Sequence, residues 1–239
     1  MFQSYAPLLN ELTQKFINIK LTDFQLNQFC LFGDLLLSWN ERMNLTRITD
    51  PYEVILKHFI DSMVIAKYIT GTNFADLGTG AGFPGVPLKI IRPELNVFLI
   101  DSLKKRLDFL SVVAQELSLK NVMTVHARAE DFGRNNLYRG YFDAVSSRAM
   151  ARLPILLEYA LPLLKINGVF PALKGAQVDN ELQESQKALR ILGGKIKDVE
   201  YFDFGDVAEH RAVVLITKIK ETPLKYPRKA GTPVKSPII

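Results

Sequence analysis

Five short apolar runs, Phe74 to Leu77, Val97 to Ile100, Val122 to His126, Ala144 to Ser146 and Gly168 to Leu173, alternate with stretches of helical periodicity at 84–92, 104–118, 151–164 and 176–192. That rhythm is the signature of βαβ units on a parallel sheet, an α/β fold. Two later runs, Val199 to Phe204 and Val213 to Lys218, break it. The acidic loop between them is too short for a helix, so they are expected to pair as an antiparallel hairpin at the sheet edge.

The first seventy residues read as helical. Phe24, Leu26, Phe29, Phe32, Leu35 and Leu36 form one apolar stripe after a cap at Thr22 or Asp23. Val54, Ile55, Phe59 and Ile65 form another after Asp50-Pro51, and the polar stretch SWNERMNLTRIT between the two is turn-like. The chain of 239 residues therefore divides into a helical N-terminal extension (1–70), an α/β domain (71–221) and a basic, proline-rich tail (222–239). No heptad seam points to a dimer, so a monomer is expected.

Hydrophobic content of 48% with 23% charged residues supports a packed core. No run of about 18 apolar residues occurs, and the start, MFQSYAPLLNELTQ, lacks the basic and apolar regions of a signal peptide. A cytoplasmic protein is expected. The single cysteine, Cys30, lies at helical spacing among Leu26, Phe29 and Leu35, as a buried inert thiol would. One cysteine excludes an intrachain disulfide, a cysteine zinc cluster and a three-cysteine iron–sulfur motif.

The net charge of +5 resides entirely in the last 22 residues, where Lys218, Lys220, Lys225, Arg228, Lys229 and Lys235 face one acid, Glu221. Four prolines there favour an extended strap. A basic extended segment suits a polyanion, nucleic acid before membrane, since no apolar helical face accompanies it. A solubilising tail is the alternative.

The first strand of the α/β region runs into a glycine loop, FADLGTGAGFPGVP at 74–87. Residues 80–85 fit the dinucleotide pattern G-x-G-x-x-G, and Asp101 follows at the required distance. The stretch fits D-x-G-x-G-x-G better, with Asp76 ending the strand and Gly78, Gly80 and Gly82 in the loop. That is the pattern of the S-adenosylmethionine-dependent methyltransferase fold. An acid at Asp76 attracts the amino group of a methionine moiety and repels a pyrophosphate, and the terminal hairpin suits the methyltransferase sheet. Pro84 and Pro87 fall at a helix start, where a missing N–H costs little.

Asp101 is placed to accept from both ribose hydroxyls, or to cap the helix that follows. Ala129 and Glu130, after the third strand, fall where this fold contacts adenine; Glu130 can equally be a solvated acid. Lys104, Lys105 and Arg106 open a helix and read as its wet face, with an RNA patch as the alternative. After the fourth strand, FDAVSSRAMARLP carries neither the Asn/Asp-Pro-Pro-aromatic motif of exocyclic amine methylation nor a nucleophilic cysteine. A ring nitrogen such as guanine N7 already holds an in-plane lone pair and needs no base, so positioning can supply much of the catalysis, about 7–11 kcal/mol. Arg148 fits as a residue orienting a carboxylate or the substrate, with a surface ion pair as the alternative.

WNERMNLT, LKHFIDS, DLGTGAGFPG, DSLKKRLDFL, RAEDF, SRA, ALKG and KYPRKAGTPVKSP, in this order and spacing from residue 38 to the end, closely resemble the ribosomal RNA small subunit methyltransferase G family, also called glucose-inhibited division protein B. The resemblance implies a Rossmann-like class I methyltransferase sheet and N7 methylation of one guanine, position 527 in the 530 loop of 16S ribosomal RNA. It implies S-adenosylmethionine as cofactor, no metal, and 16S rRNA or the small ribosomal subunit as partner. Family cofactor contacts carry over to Gly78, Phe83, Ala129, Glu130 and Arg148. His58 and Asp61 share a helical face and either line the mouth of the cofactor pocket or form a buried pair that fixes the helical extension to the sheet. Asn44, Arg47, Arg152 and Lys174, with Lys225, Arg228 and Lys229 of the tail, are candidates for the RNA surface, or else turn and surface residues. An RNA-binding protein without the chemistry, a small-molecule methyltransferase and a nicotinamide oxidoreductase are the competing readings.

Overall fold

A computed structural model of the chain describes residues 1–204 and 211–239. Seven strands, β1 (Asn73–Leu77), β2 (Asn96–Asp101), β3 (Val122–His126), β4 (Phe142–Arg148), β5 (Leu164–Lys174), β6 (Gly194–Phe202) and β7 (Arg211–Lys218), form one sheet in the order β3-β2-β1-β4-β5-β7-β6. β1 to β5 are parallel, and β7 runs antiparallel to both β5 and β6. The strand order reverses at β1, between β2 and β4, which opens a crevice beyond the carboxyl ends of those strands. The expected hairpin forms with β6 at the edge, and β6 begins five residues before the expected Val199. The acidic loop expected within it lies at residues outside those described.

The longer helices are α1 (Ala6–Ile17), α2 (Asp23–Met43), α3 (Gly85–Ile91), α4 (Lys104–Glu116), α5 (Ala129–Arg134), α6 (Leu153–Ala160), α7 (Val178–Glu184) and α8 (Gln186–Leu192). Thr22 caps α2 in a capping box with Gln25. Three expectations need correction. The single helix at 176–192 is two, broken at Ser185, whose hydroxyl bonds back to Glu181 O at 2.6 Å. The helix at 151–164 ends at Ala160, because Pro162 lies in a tighter turn over Leu161–Leu163. The short helix α5 has no counterpart in the periodicity.

Between 51 and 68 the backbone is helical throughout, with a π-helical centre at Ile55–Ile60. Phe59, fully buried there, joins the extension to the sheet: its ring centroid lies 5.1 Å from Phe29, 5.7 Å from Phe32 and 6.2 Å from Phe83. Gln28 Nε2 also donates to Leu117 O at 2.7 Å, inside that shared core. Cys30 is buried in it, and burial pushes its thiol pKa up.

The tail is a docked strap with turns and not the fully extended one its prolines favour. Arg139 donates to Thr222 O at 2.6 Å and Tyr226 O at 2.7 Å, Pro227 and Pro233 are buried, and Thr232–Lys235 is a helical turn. A guanidinium that satisfies several carbonyls at once folds the segment back onto the body, which composition alone does not reveal.

Candidate active site

β1 delivers Asp76 into the centre of the glycine loop. Its carboxylate is wholly buried, and Oδ2 accepts from Thr79 Oγ1 at 2.7 Å and from Gly85 N at 2.8 Å. Gly85 has to be glycine for this closure: a Cβ would lie 2.4 Å from Leu99 Cδ2 and 2.9 Å from Asp76 Oδ2. Gly78, Gly80 and Gly82 take φ of +65°, +59° and +98°, which L side chains rarely adopt. Burial pushes the Asp76 pKa up to about 7, against the bonds from Thr79 and Gly85. Asp76 thus organises the loop from within. Its Oδ1 has no hydrogen-bond partner among the described residues.

The crevice beside this loop is an open cleft of about 460 Å³, lined by Gly78, Ile100, Asp101, Ser102, Arg106, Ala127, Arg128, Ala129, Glu130, Arg148, Ala149 and Met150. Its size suits a small-molecule cofactor. Asp101 ends β2 with its side chain almost fully withdrawn; Oδ2 accepts from Gly80 N at 3.0 Å and Oδ1 from Leu103 N at 2.8 Å. Arg106 Nη1 stands 3.3 Å from Asp101 Oδ2, so it belongs to the cleft wall and not to the wet face expected for it. The signal was geometric: side chains in a helix's first turn point back toward its N-terminus, here the end of β2. Of the expected cofactor residues, Gly78, Asp101, Ala129, Glu130 and Arg148 meet at the cleft. Gly80, Gly82 and Phe83 stand behind them. Gly82 packs toward Val86 and Leu110 of the adjoining helices, and the Phe83 ring is buried under the Arg148 guanidinium at 4.9 Å.

Arg148 is the electrostatic centre of the site. Nη1 donates to Lys57 O at 2.6 Å and reaches Asp61 Oδ2 at 3.1 Å, while Nη2 lies 2.9 Å from His58 Nδ1. A guanidinium only donates, so the shorter contact has His58 Nδ1 accept from Arg148, although Nδ1 also lies 3.1 Å from Lys57 O; Nε2 is 2.8 Å from Thr46 Oγ1. Burial first, and the charge of Arg148 second, hold the His58 pKa down to about 3, and the ring is neutral. The surface ion pair weighed for Arg148 is therefore excluded. His58 and Asp61 do not pair directly; both grip Arg148, and Asp61 Oδ1 also reaches Arg211 Nε at 3.3 Å.

The candidates for the RNA surface separate by burial. Asn44, Arg47, Lys225 and Lys229 are exposed. Lys174 is not: its side chain is 7% exposed, and Nζ binds Glu181 at 2.7 Å and Ala151 O at 3.0 Å. Arg228 clamps Glu158 through Nε at 2.9 Å and Nη2 at 2.6 Å. Arg152 remains exposed but is ion-paired to Glu184. Lys174 and Arg228 hold the structure together because each neutralises a carboxylate that burial would otherwise leave unpaired. Among the described residues no helix is long and apolar enough to cross a membrane, and no group of three His, Cys, Asp or Glu is arranged to hold a metal ion.

The family model GidB, described as rRNA small subunit methyltransferase G, matches residues 25–231. The chain belongs to the rRNA small subunit methyltransferase G family. A member from Desulfitobacterium hafniense is 55% identical over 239 residues, the full length of both chains. One from Acetivibrio thermocellus is 50% identical over 224 residues, covering 92% of this chain and 91% of its own. Among solved structures, a SAM-dependent O-methyltransferase from Thermotoga maritima superposes with a TM-score of 0.54 at 18% identity, covering 79% of this chain and 72% of that one. A 16S rRNA (adenine(1408)-N(1))-methyltransferase from Catenulisporales acidiphilia gives 0.54 at 15% identity, covering 68% and 92%. These two likenesses show the class I methyltransferase fold for this chain, a member of the rRNA small subunit methyltransferase G family.

Proposed function

We propose that this member of the rRNA small subunit methyltransferase G family transfers a methyl group from S-adenosylmethionine to N7 of one guanine, position 527, in the 530 loop of 16S rRNA. The observation that carries the reading is the cleft at the carboxyl ends of β1, β2 and β4, with Asp101 on one wall and Arg148 on the other. The cofactor fits these residues. Gly78 forms a floor that a side chain would fill, since a Cβ there would meet Met150 Sδ at 2.9 Å. A carboxylate that already accepts from Gly80, Leu103 and Arg106 keeps a lone pair for a ribose hydroxyl.

The bound cofactor supplies an activated methyl group on a sulfonium. Gly78, Asp101, Ala129, Glu130 and Arg148 hold and orient it, with Gly80, Gly82 and Phe83 shaping the loop and supporting Arg148. Arg148, locked by Lys57 O, Asp61 and His58, presents a fixed positive field that suits the cofactor carboxylate. Guanine N7 attacks with its own lone pair, and no side chain has to remove a proton. The chain's part is to align the two reactants.

Asn44, Arg47, Lys225 and Lys229 are the residues proposed to meet RNA phosphates, the substrate being free 16S rRNA or the assembled small subunit. The segments 1–70, 71–221 and 222–239 act as functional parts of a monomeric cytoplasmic enzyme that uses no metal. Labelled methyl transfer to undermethylated small subunits, followed by cleavage at N7-methylguanine, tests the proposal. A single cut in the 530 loop is expected; cofactor binding without transfer to subunits or free RNA overturns it.

A further inference from the structure

We propose that residues 222–235 form a strap that positions Glu130 at the adenine end of the cleft, with Arg228 and Gly231 as its positioning residues. The inference rests on reading the cleft as the S-adenosylmethionine site. Two attachments reach α5, the helix that opens with Ala129 and Glu130, and a third anchors the segment on the neighbouring α6.

Pro227 sits directly on that helix. A Cβ at Gly133 would lie 2.9 Å from Pro227 Cγ, so only glycine admits the ring. Arg228 then anchors the strap: besides its two side-chain bonds, its backbone N donates to Glu158 Oε1 at 2.7 Å, and Glu158 is 1% exposed. Three residues further on, Gly231 at φ +81° turns the chain so that its amide donates to Glu130 Oε1 at 2.8 Å.

Tyr159, next to Glu158 on α6, donates its hydroxyl to the same Oε1 at 3.2 Å. Burial and the neighbouring Glu130 push the Tyr159 pKa up, which keeps that proton in place. Both donors act on Oε1, and neither bond occupies Oε2. A carboxylate fixed by two donors on one oxygen, in a residue that is 6% exposed and lines the cleft, is a directed acceptor for an exocyclic amine such as that of adenine. The strap is therefore part of the cofactor site and acts on base recognition, while its exposed lysines face outward.

Titration calorimetry on the full chain with S-adenosylhomocysteine and its inosine analogue tests this, since the analogue replaces the exocyclic amine by a carbonyl. Wild type is expected to favour the adenosyl ligand. R228A should bind it about tenfold more weakly or worse and lose much of the preference for the amine, and R228K should recover part of both. G133V, which displaces Pro227 without touching Arg228, should behave as R228A does. K235A removes the same charge from an exposed position and should keep wild-type affinity. Circular dichroism establishes that each variant is folded. Wild-type affinity and base preference in R228A and G133V overturn the strap. Failure of the wild type to bind the adenosyl ligand overturns the reading of the cleft, and the strap with it.

Discussion

Arg148 Nη1 lies 3.1 Å from Asp61 Oδ2, and the two side chains are withdrawn from water to 15% and 3% exposure. Burial lowers the Arg148 pKa and Asp61 opposes that shift, so the contact offsets part of the cost of burying a guanidinium. Asp61 also serves Arg211, which starts β7, and so one carboxylate ties the helical extension to β4 and to the hairpin.

Removing that carboxylate takes the counter-charge from the largely buried Arg148 and one ion pair from the more exposed Arg211. Asp61→Ala is expected to destabilise the fold by about 3–5 kcal/mol, in the range for breaking one partner out of a buried pair. His58→Ala removes one neutral acceptor and should cost about 1–2 kcal/mol, apart from the loss of ring packing on Phe83. Urea denaturation of both variants measures the difference; a loss below about 1 kcal/mol for Asp61→Ala contradicts the anchoring role.

Acid titration separates Asp76 from His58. Asp76 has a folded pKa of about 7 against 3.8 unfolded, so the folded state binds the extra proton and this group lowers stability as pH rises from about 4 to 7. His58 has a folded pKa of about 3 against 6.5, so the unfolded state binds the extra proton and this group raises stability with pH over about 3 to 6.5. The two oppose each other in the shared window. Asp76→Asn leaves the His58 contribution alone and should steepen the rise of stability between about pH 4.5 and 6.5 by about 1.4 kcal/mol per pH unit. Urea midpoints at three pH values give that slope; parallel curves for wild type and variant would falsify the raised pKa.

Two glycines of the loop should respond differently to the same methyl group. At Gly85 an added Cβ meets Leu99 and Asp76 at 2.4 and 2.9 Å, whereas at Gly80 its nearest contact is Gly78 O at 3.9 Å. Gly80→Ala carries only the penalty of positive φ, about 1–2 kcal/mol. Gly85→Ala forces α3 away from the sheet and should cost about 1–3 kcal/mol, with loss of cofactor binding because Asp76 loses the Gly85 amide. Denaturation and cofactor titration together make the comparison, and it fails if Gly85→Ala binds cofactor as wild type does.

The sequence made the scaffold legible because strands buried in a sheet leave apolar runs at a recognisable spacing, and a glycine loop after the first of them has few physical uses. Phe74 to Leu77 and Asp101 fell where the pattern placed them. Charged residues were harder. Lys174 and Arg228 look like surface cations in the sequence, and only folding brings Glu181 and Glu158 to meet them, the latter from 70 positions away. The tail misled for the same reason: prolines and lysines describe an extended chain until Arg139, more than 80 residues away, takes its carbonyls.

That separation makes the salt dependence of RNA binding informative. Lys225 and Lys229 are exposed on the docked tail, and each phosphate that is no longer neutralised should flatten the plot of log affinity against log salt by about 0.7–0.9. The double variant K225A/K229A should therefore flatten it by somewhat under about 2 while leaving stability nearly unchanged. Lys174→Ala should do the reverse, keeping the slope and destabilising the fold by about 3 kcal/mol, because it leaves the Glu181 charge under a largely closed surface with the Leu153 amide but no cation to offset it. Binding isotherms at three salt concentrations, paired with urea melts, decide it. A flattened slope in Lys174→Ala, or none in K225A/K229A, would move the RNA surface off the exposed edge of the tail.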